Sequence, residues 1–274
     1  MDRFVEVPGG RIYAVAEGDG PPVVLVHAAI VDLSAWDPMV PGLLSAGFRV
    51  IRYDMRGFGR TETADVEYSP RADLIAVMDA HGVDRAAVIG NSMGGQTGLE
   101  AAIEFPDRFV AVVTIGSSPG GYDGGATPVE MEFFGRGQKL ESATPPDPDA
   151  VAELLVQLWA DGPGQPPTRL PGSIRDAVRE MARREFLPGH VSGRRIALKP
   201  SSNSRLGELR CPVLAVAGAL DISHEVKAAH RIAEGAPNAR AVIWPDVAHL
   251  IGMEQPERLT ALAAEFLAPL EPWS

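Results

Sequence analysis

Residues 86–97 read Ala86-Ala87-Val88-Ile89-Gly90-Asn91-Ser92-Met93-Gly94-Gly95-Gln96-Thr97: an apolar β-prone run, a serine bracketed by glycines, and a helix beginning near Thr97. In this G-x-S-x-G pattern the serine occupies a tight, strained turn between strand and helix. Small residues two before and two after it let the backbone fold that sharply. The helix that follows aims its positive N-terminal end at the hydroxyl. Glycine-rich chains also carry the pattern in plain turns, but the strand before and the helix after favour a nucleophile.

A serine alcohol is a poor nucleophile at neutral pH and needs a base that is itself oriented by a carboxylate. Downstream, an apolar run at 213–217 ends in Gly218-Ala219-Leu220-Asp221, and another at 241–244 leads to Asp246-Val247-Ala248-His249. These groups fall just past the carboxyl ends of strands, where a doubly wound sheet places its sites. The expected triad is Ser92, Asp221 and His249. Asp246 is the competing acid, disfavoured because three residues before His249 it suits a cap or turn. The tetrahedral intermediate also needs two backbone N–H donors. Met93, directly after the nucleophile, is expected to supply one, and Ala29, in His27-Ala28-Ala29-Ile30 after the run 23–26, the other. His27 reads as a local hydrogen-bonding residue and His224 as part of a solvated loop.

Further apolar runs at 49–53 and 110–115 alternate with helix-like stretches such as 74–81 and 97–104. That alternation means a parallel sheet covered on both faces, so the fold class is α/β. Runs 3–7 and 11–16, joined by Pro8-Gly9-Gly10, read as an antiparallel hairpin at the sheet edge. From 116 to 172, 19 of 57 residues are Gly or Pro, against 34 of the other 217, which breaks the strand-helix alternation. Asp147-Pro148 starts an amphipathic helix there, and Ser173 is expected to cap another. Residues 120–204 are therefore read as a helical insertion, hinged at the glycine-rich 119–125, in a core of residues 1–119 and 205–274.

The 274 residues are 45% hydrophobic and 22% charged, an ordinary globular composition, and no apolar run approaches the ~20 residues of a membrane helix. Lys plus Arg is 25 against 36 Asp plus Glu, and the net charge of −11 repels nucleic acid and anionic lipid. Neither nucleic acid nor membrane is expected as a partner. The single cysteine, Cys211, reads as a buried thiol, and the N-terminus lacks a secretory profile, so the expected location is cytoplasmic. Gly57-Phe58-Gly59 lacks the third glycine of a dinucleotide fingerprint, since Glu62 stands there, and no metal-ligand spacing occurs. No cofactor and no metal are expected.

On His27-Ala28-Ala29, Tyr53-Asp54-Met55-Arg56-Gly57-Phe58-Gly59, Gly90-Asn91-Ser92-Met93-Gly94-Gly95, Asp221 and His249, the chain resembles the α/β-hydrolase fold superfamily along nearly its whole length. The resemblance implies a mostly parallel doubly wound sheet with an N-terminal antiparallel hairpin and a helical lid inserted after the sixth strand. A serine at 92 implies the serine branch, because haloalkane dehalogenases and epoxide hydrolases need a carboxylate nucleophile. The stretch from His27 to Trp36-Asp37, with Ala248-His249-Leu250 and Glu254-Gln255-Pro256-Glu257-Arg258, resembles the 3-oxoadipate enol-lactonase-like esterases and lactonases. Gly90 to Gly95 with Phe105-Pro106-Asp107-Arg108 also resembles the carbon-carbon hydrolases of ring-cleavage products. That branch's glycine-rich oxyanion loop and its Trp after the histidine are here Ala28-Ala29-Ile30 and Leu250.

The expected activity is hydrolysis of a small ester or lactone through an acyl-enzyme. The alternatives are carbon-carbon hydrolysis and a receptor-like ligand-binding role on the same scaffold. Ile30, Phe134, Leu158, Trp159, Ile222 and Leu250 are expected to line an apolar pocket for an uncharged acyl substrate. A charged substrate would instead call on Arg136, Lys139 or Arg169. Symmetric pairing into a homodimer is open to such a chain.

Overall fold

The computed structural model describes residues 2–145, 147–270 and 273. The main strands of its central sheet are β1 (Asp2–Val7), β2 (Gly10–Glu17), β3 (Pro22–Val26), β4 (Arg49–Tyr53), β5 (Ala86–Asn91), β6 (Phe109–Ile115), β7 (Val213–Gly218) and β8 (Ala239–Trp244). They lie in the order β1-β2-β4-β3-β5-β6-β7-β8. The hairpin β1-β2 and the pair β2-β4 are antiparallel, and every later pair is parallel. The order reverses direction at β3, which lies between β4 and β5, and such a switch point opens a crevice at the carboxyl ends of the strands.

Side-chain parity along the strands builds two cores. Val24, Val26, Val88, Val112 and Ala215 point into one, with Leu74 and Met78 of α1 (Pro70–Ala80) and Leu99 of α2 (Met93–Glu104). Val23, Leu25, Ile89, Val113 and Leu214 point into the other, with Leu259 and Ala263 of the C-terminal helix Pro256–Leu267. Since β5, β6 and β7 are buried along their whole length, alternating polarity is absent and the strands read as continuous apolar runs. The buried Arg56 guanidinium grips Asp73 through Nε and Nη2 at 2.7 and 2.9 Å and the carbonyl of Pro8 at 2.9 Å, joining the hairpin to α1.

Both helices flanking β5 start earlier than expected. Helix α1 begins at Pro70 because the Ser69 hydroxyl accepts the Ala72 N–H and proline suits the first helical position. Helix α2 begins at Met93, directly after the serine, with no linking turn.

Between β6 and β7 lie α3 (Pro128–Glu141), α4 (Pro148–Leu155) and α5 (Gly172–Arg184). Asp147 caps α4 by accepting the Asp149 and Ala150 N–H groups. Ser173 does not cap α5, which starts one residue before it, after Pro171, with no side-chain cap. This inserted stretch packs through Ala152, Val156, Val178 and Met181 onto Ile30, Val31 and Leu250, residues of the loops after β3 and β8. It therefore sits over the strand ends and not on a sheet face. Helix α3 stays outermost: Val129, Met131 and Phe134 are exposed and only Glu130 is buried. Among the described residues, no helix is long and apolar enough to cross a membrane.

Candidate active site

Ser92 has φ 52° and ψ −117°, and it is the one non-glycine residue with positive φ among the described residues. Such a conformation costs about 1–3 kcal/mol and persists only where its surroundings enforce it. Here the enforcement is backbone contact. A Cβ at Gly90 would collide with the Gly94 backbone, and one at Gly94 with the carbonyls of Val26 and His27. The Ser92 N–H donates to the Ile115 carbonyl at 2.8 Å, which fixes the turn against the end of β6.

The residues expected as acid and base lie on the loops after β7 and β8. His249 Nδ1 lies 2.7 Å from Asp221 Oδ2, and both side chains are buried. The other Asp221 oxygen accepts the Ile222 N–H at 2.7 Å. A carboxylate so held fixes the tautomer with Nδ1 protonated and leaves Nε2 as the free base position. Asn91, just before the serine, donates to the His249 carbonyl at 3.2 Å and the Ile115 carbonyl at 2.9 Å, tying the serine turn to the histidine loop. No hydrogen bond closes between the Ser92 hydroxyl and His249 among the described residues; such contacts commonly tighten only with substrate bound. Burial alone would push the His249 pKa down, but the charge and hydrogen bond of Asp221, with Glu225 behind them, outweigh it and raise it. The competing acid, Asp246, is exposed and pairs with Arg258 at 3.0 Å.

Sequence reasoning did not find Glu225. It lies in the first turn of α6 (Ser223–Gly235), where an acid reads simply as helix-dipole complement, yet it is buried and its Oε2 has no hydrogen-bond partner. Burial raises its pKa to about 8, with His249 pulling it down and Asp221 pushing it up. A carboxyl whose folded pKa is raised contributes stability that is fully present below its unfolded value near 4.5 and is lost as pH rises through about 8. Thermal melts should therefore show Glu225→Gln gaining on the wild type from about pH 5 upward and levelling off above about pH 8. A difference in melting temperature that stays constant across that range would contradict it.

The loop after β3 is built around two buried groups. His27 Nδ1 lies 2.7 Å from the Ala28 carbonyl while Nε2 accepts the Met55 N–H at 2.9 Å, so the ring is neutral and structural, and burial pushes its pKa down to about 4. Asp54 accepts the N–H groups of Leu33 at 2.8 Å and Arg60 at 2.7 Å, and a Cβ at Gly59 would strike its carboxylate. Thus Gly57-Phe58-Gly59 braces the strand ends. Ala29, Ser92 and Met93 are partly exposed while their neighbours Ala28, Asn91 and Gly94 are buried.

Of the residues expected at the pocket, Ile30 and Leu250 are buried together in the cluster beneath the insert, with Trp159 packed against it. The Trp159 ring centroid is 4.4 Å from that of His249. Leu158 and Ile222 are also buried. Phe134 is not with them: it lies 41% exposed on α3, because that helix docks through Glu130, whose carboxylate accepts the Ser223 N–H at 2.6 Å and the Thr127 N–H at 2.6 Å. Arg169 is no free cation either, since it is held by Glu254 and by the carbonyls of Ala160 and Asp161. Arg136 stacks over Phe133, with its guanidinium carbon 5.4 Å from the ring centroid, and Lys139 is exposed. His224 is not in a solvated loop: it opens α6, half-buried, and its Nδ1 accepts the Gly124 N–H at 3.1 Å. Burial pushes the Cys211 thiol up to about 11, so it stays protonated.

A strained serine between a buried strand and a helix, with an aspartate-bound histidine on a loop that Asn91 ties to the serine turn, is the constellation expected of an α/β hydrolase. The family model described as alpha/beta hydrolase fold matches residues 21–256, and the chain belongs to that family. It is similar to epoxide hydrolase B of Mycobacterium tuberculosis, 34% identical over 124 residues that make up 42% of this chain and 35% of that protein, so that match spans about a third of the relative's length. It is also similar to the 2-hydroxy-6-oxononadienedioate/2-hydroxy-6-oxononatrienedioate hydrolase of Paraburkholderia phymatum, 28% identical over 257 residues, covering 89% of this chain and 86% of that one. Among solved structures, the enol-lactonase from Burkholderia xenovorans LB400 superposes with a TM-score of 0.77 at 22% identity, over 97% of this chain and 100% of that chain.

Proposed function

We propose that the protein is a serine hydrolase that cleaves a carboxylic ester or lactone of a small, largely apolar, uncharged substrate through an acyl-enzyme. The observation that carries this is the buried Asp221-His249 pair on the loops that meet the strained Ser92 turn. In this reading His249 Nε2 takes the Ser92 proton as Oγ attacks the carbonyl carbon. Asp221 stabilises the imidazolium. The oxyanion is received by the N–H groups of Met93 and Ala29, donors of a kind each worth about 2.7–4 kcal/mol. The imidazolium then protonates the leaving alcohol, and a water activated by the same histidine releases the acid. For a lactone, alcohol and acid leave as one hydroxy acid. The stretch between β6 and β7, seated over the strand ends, serves as a lid.

The epoxide hydrolase likeness does not extend to mechanism in this reading, because position 92 offers a hydroxyl and no carboxylate. The charges around the site support a neutral substrate. Insert arginines that approach the core already have acid partners: Arg169 has Glu254, Arg175 has Asp161 and Glu153, and Arg184 has Asp32. The buried Asp221 carboxylate makes the surroundings of His249 unfavourable to a second anion, and the buried Glu225 beside it supplies no cation to offset that. Purified protein tested on neutral aryl esters, small neutral lactones and a dicarboxylate ring-cleavage product should turn over the neutral compounds with at least about 100-fold higher kcat/KM, since leaving a substrate charge without its partner costs about 3 kcal/mol or more. Preference for the dicarboxylate would overturn this reading in favour of carbon-carbon hydrolysis.

A further inference from the structure

The segment 156–161 of the insert is wound as a π-helical turn, a rare geometry concentrated at functional sites. Its end touches both loops that carry the acid and the base. The His249 N–H donates to the Trp159 carbonyl at 3.3 Å, and the indole lies against the imidazole with 4.4 Å between centroids and 45° between planes. On the other side, Gly162 (φ 94°) passes so close to the Leu220 carbonyl, one residue before Asp221, that a Cβ there would collide with it. Arg169 locks this arrangement. Its Nη2 donates to the Ala160 carbonyl at 2.6 Å and to Glu254 Oε2 at 2.9 Å, its Nε donates to the Asp161 carbonyl at 2.7 Å, and Nη1 pairs with the second Glu254 oxygen. Glu254 Oε2 also accepts the N–H of Ala248, the residue before His249. One guanidinium thus joins the two last carbonyls of the π turn to the backbone that presents the base, and Arg169 and Glu254 are largely buried.

We propose that Arg169 and Glu254 are positioning residues that lock the insert segment 159–162 onto the Asp221 and His249 loops, so that His249 is aligned on Ser92 only while that segment is seated. This rests on the serine-hydrolase reading above. A planar fork is required, because it bonds two carbonyls and a carboxylate at once, and a lysine cannot reproduce it. Misplacing a base by about 1 Å costs up to about 100-fold in rate while leaving substrate contacts largely unchanged, so the loss falls on kcat and not on KM.

The test compares Arg169→Lys, Arg169→Met, Glu254→Gln and the double variant Arg169→Met/Glu254→Met with the wild type. It measures kcat and KM on a neutral aryl ester, the rate of Ser92 labelling by a fluorophosphonate probe, and melting temperature. The double variant leaves no orphaned buried charge and keeps the fold testable. Expected is a fall of about 10- to 100-fold in kcat and in labelling rate for all four, KM within about threefold, and a double variant that recovers melting temperature without recovering rate. A double variant with wild-type kcat and labelling rate, or single variants that lower melting temperature alone, would overturn the clamp. Wild-type protein that resists the probe would remove the hydrolase reading and the clamp with it, whereas labelled wild type beside equally fast variants removes only the clamp.

Discussion

Ser92→Ala will abolish turnover of a neutral aryl ester, lowering kcat by roughly a million-fold with little change in KM. The size follows from the way nucleophile and base act as a unit: once the hydroxyl is gone, His249 has no proton to take and Asp221 no imidazolium to stabilise, and only binding and the oxyanion donors remain. The substitution also relieves no packing, because Ser92 is half-exposed and its conformation is imposed by the backbone of Gly90 and Gly94. Circular dichroism and melting temperature should therefore stay close to wild type while activity vanishes. A variant that keeps even a hundredth of the wild-type rate would place the nucleophile elsewhere.

Asp221→Asn is the second large effect, about 10⁴-fold in kcat. The neutral amide can still occupy the space beside His249 Nδ1, but it no longer requires the tautomer that leaves Nε2 free, and it offers no charge to the imidazolium that forms as Ser92 attacks. Loss of that charge and hydrogen bond removes the two largest effects that raise the His249 pKa against burial, so the acid limb of the kcat/KM profile moves to lower pH in whatever activity survives. Asp246→Asn serves as the control. Its carboxylate is exposed and pairs with Arg258, so kcat should stay within about twofold of wild type, as for an ordinary surface ion pair. Equal losses at the two positions would undo the assignment of the acid.

How far such a site can be read from a chain alone depends on whether its residues are announced by local geometry or only by distant contacts. The serine turn belongs to the first kind, because the collisions that demand glycine at 90 and 94 are between residues close in sequence or on the neighbouring strand end. The parallel sheet was legible for a similar reason, since burial on both faces removes alternation and leaves apolar runs. Asp221 and Asp246 both follow strands, and spacing could not separate them; what does is that one is sealed against His249 and the other stands in solvent. The exposure of Phe134 is not announced by its apolar character, because an insert helix carries apolar residues on its outer face as well, and α3 is anchored by the carboxylate of Glu130. Glu225 gave no signal at all, and Arg169 stood out only as one of three insert cations, with no sign of the contacts that hold it. A first-turn acid and a loop arginine look alike whether solvated or buried, and only tertiary contacts distinguish them.

The most direct measurement is rapid-quench peptide mass spectrometry during turnover of a slow neutral ester. An acyl adduct on Ser92 is expected to build up within the first turnover and to disappear as substrate is exhausted. Steady hydrolysis with Ser92 unmodified throughout, and the adduct on a carboxylate or nowhere, would contradict it.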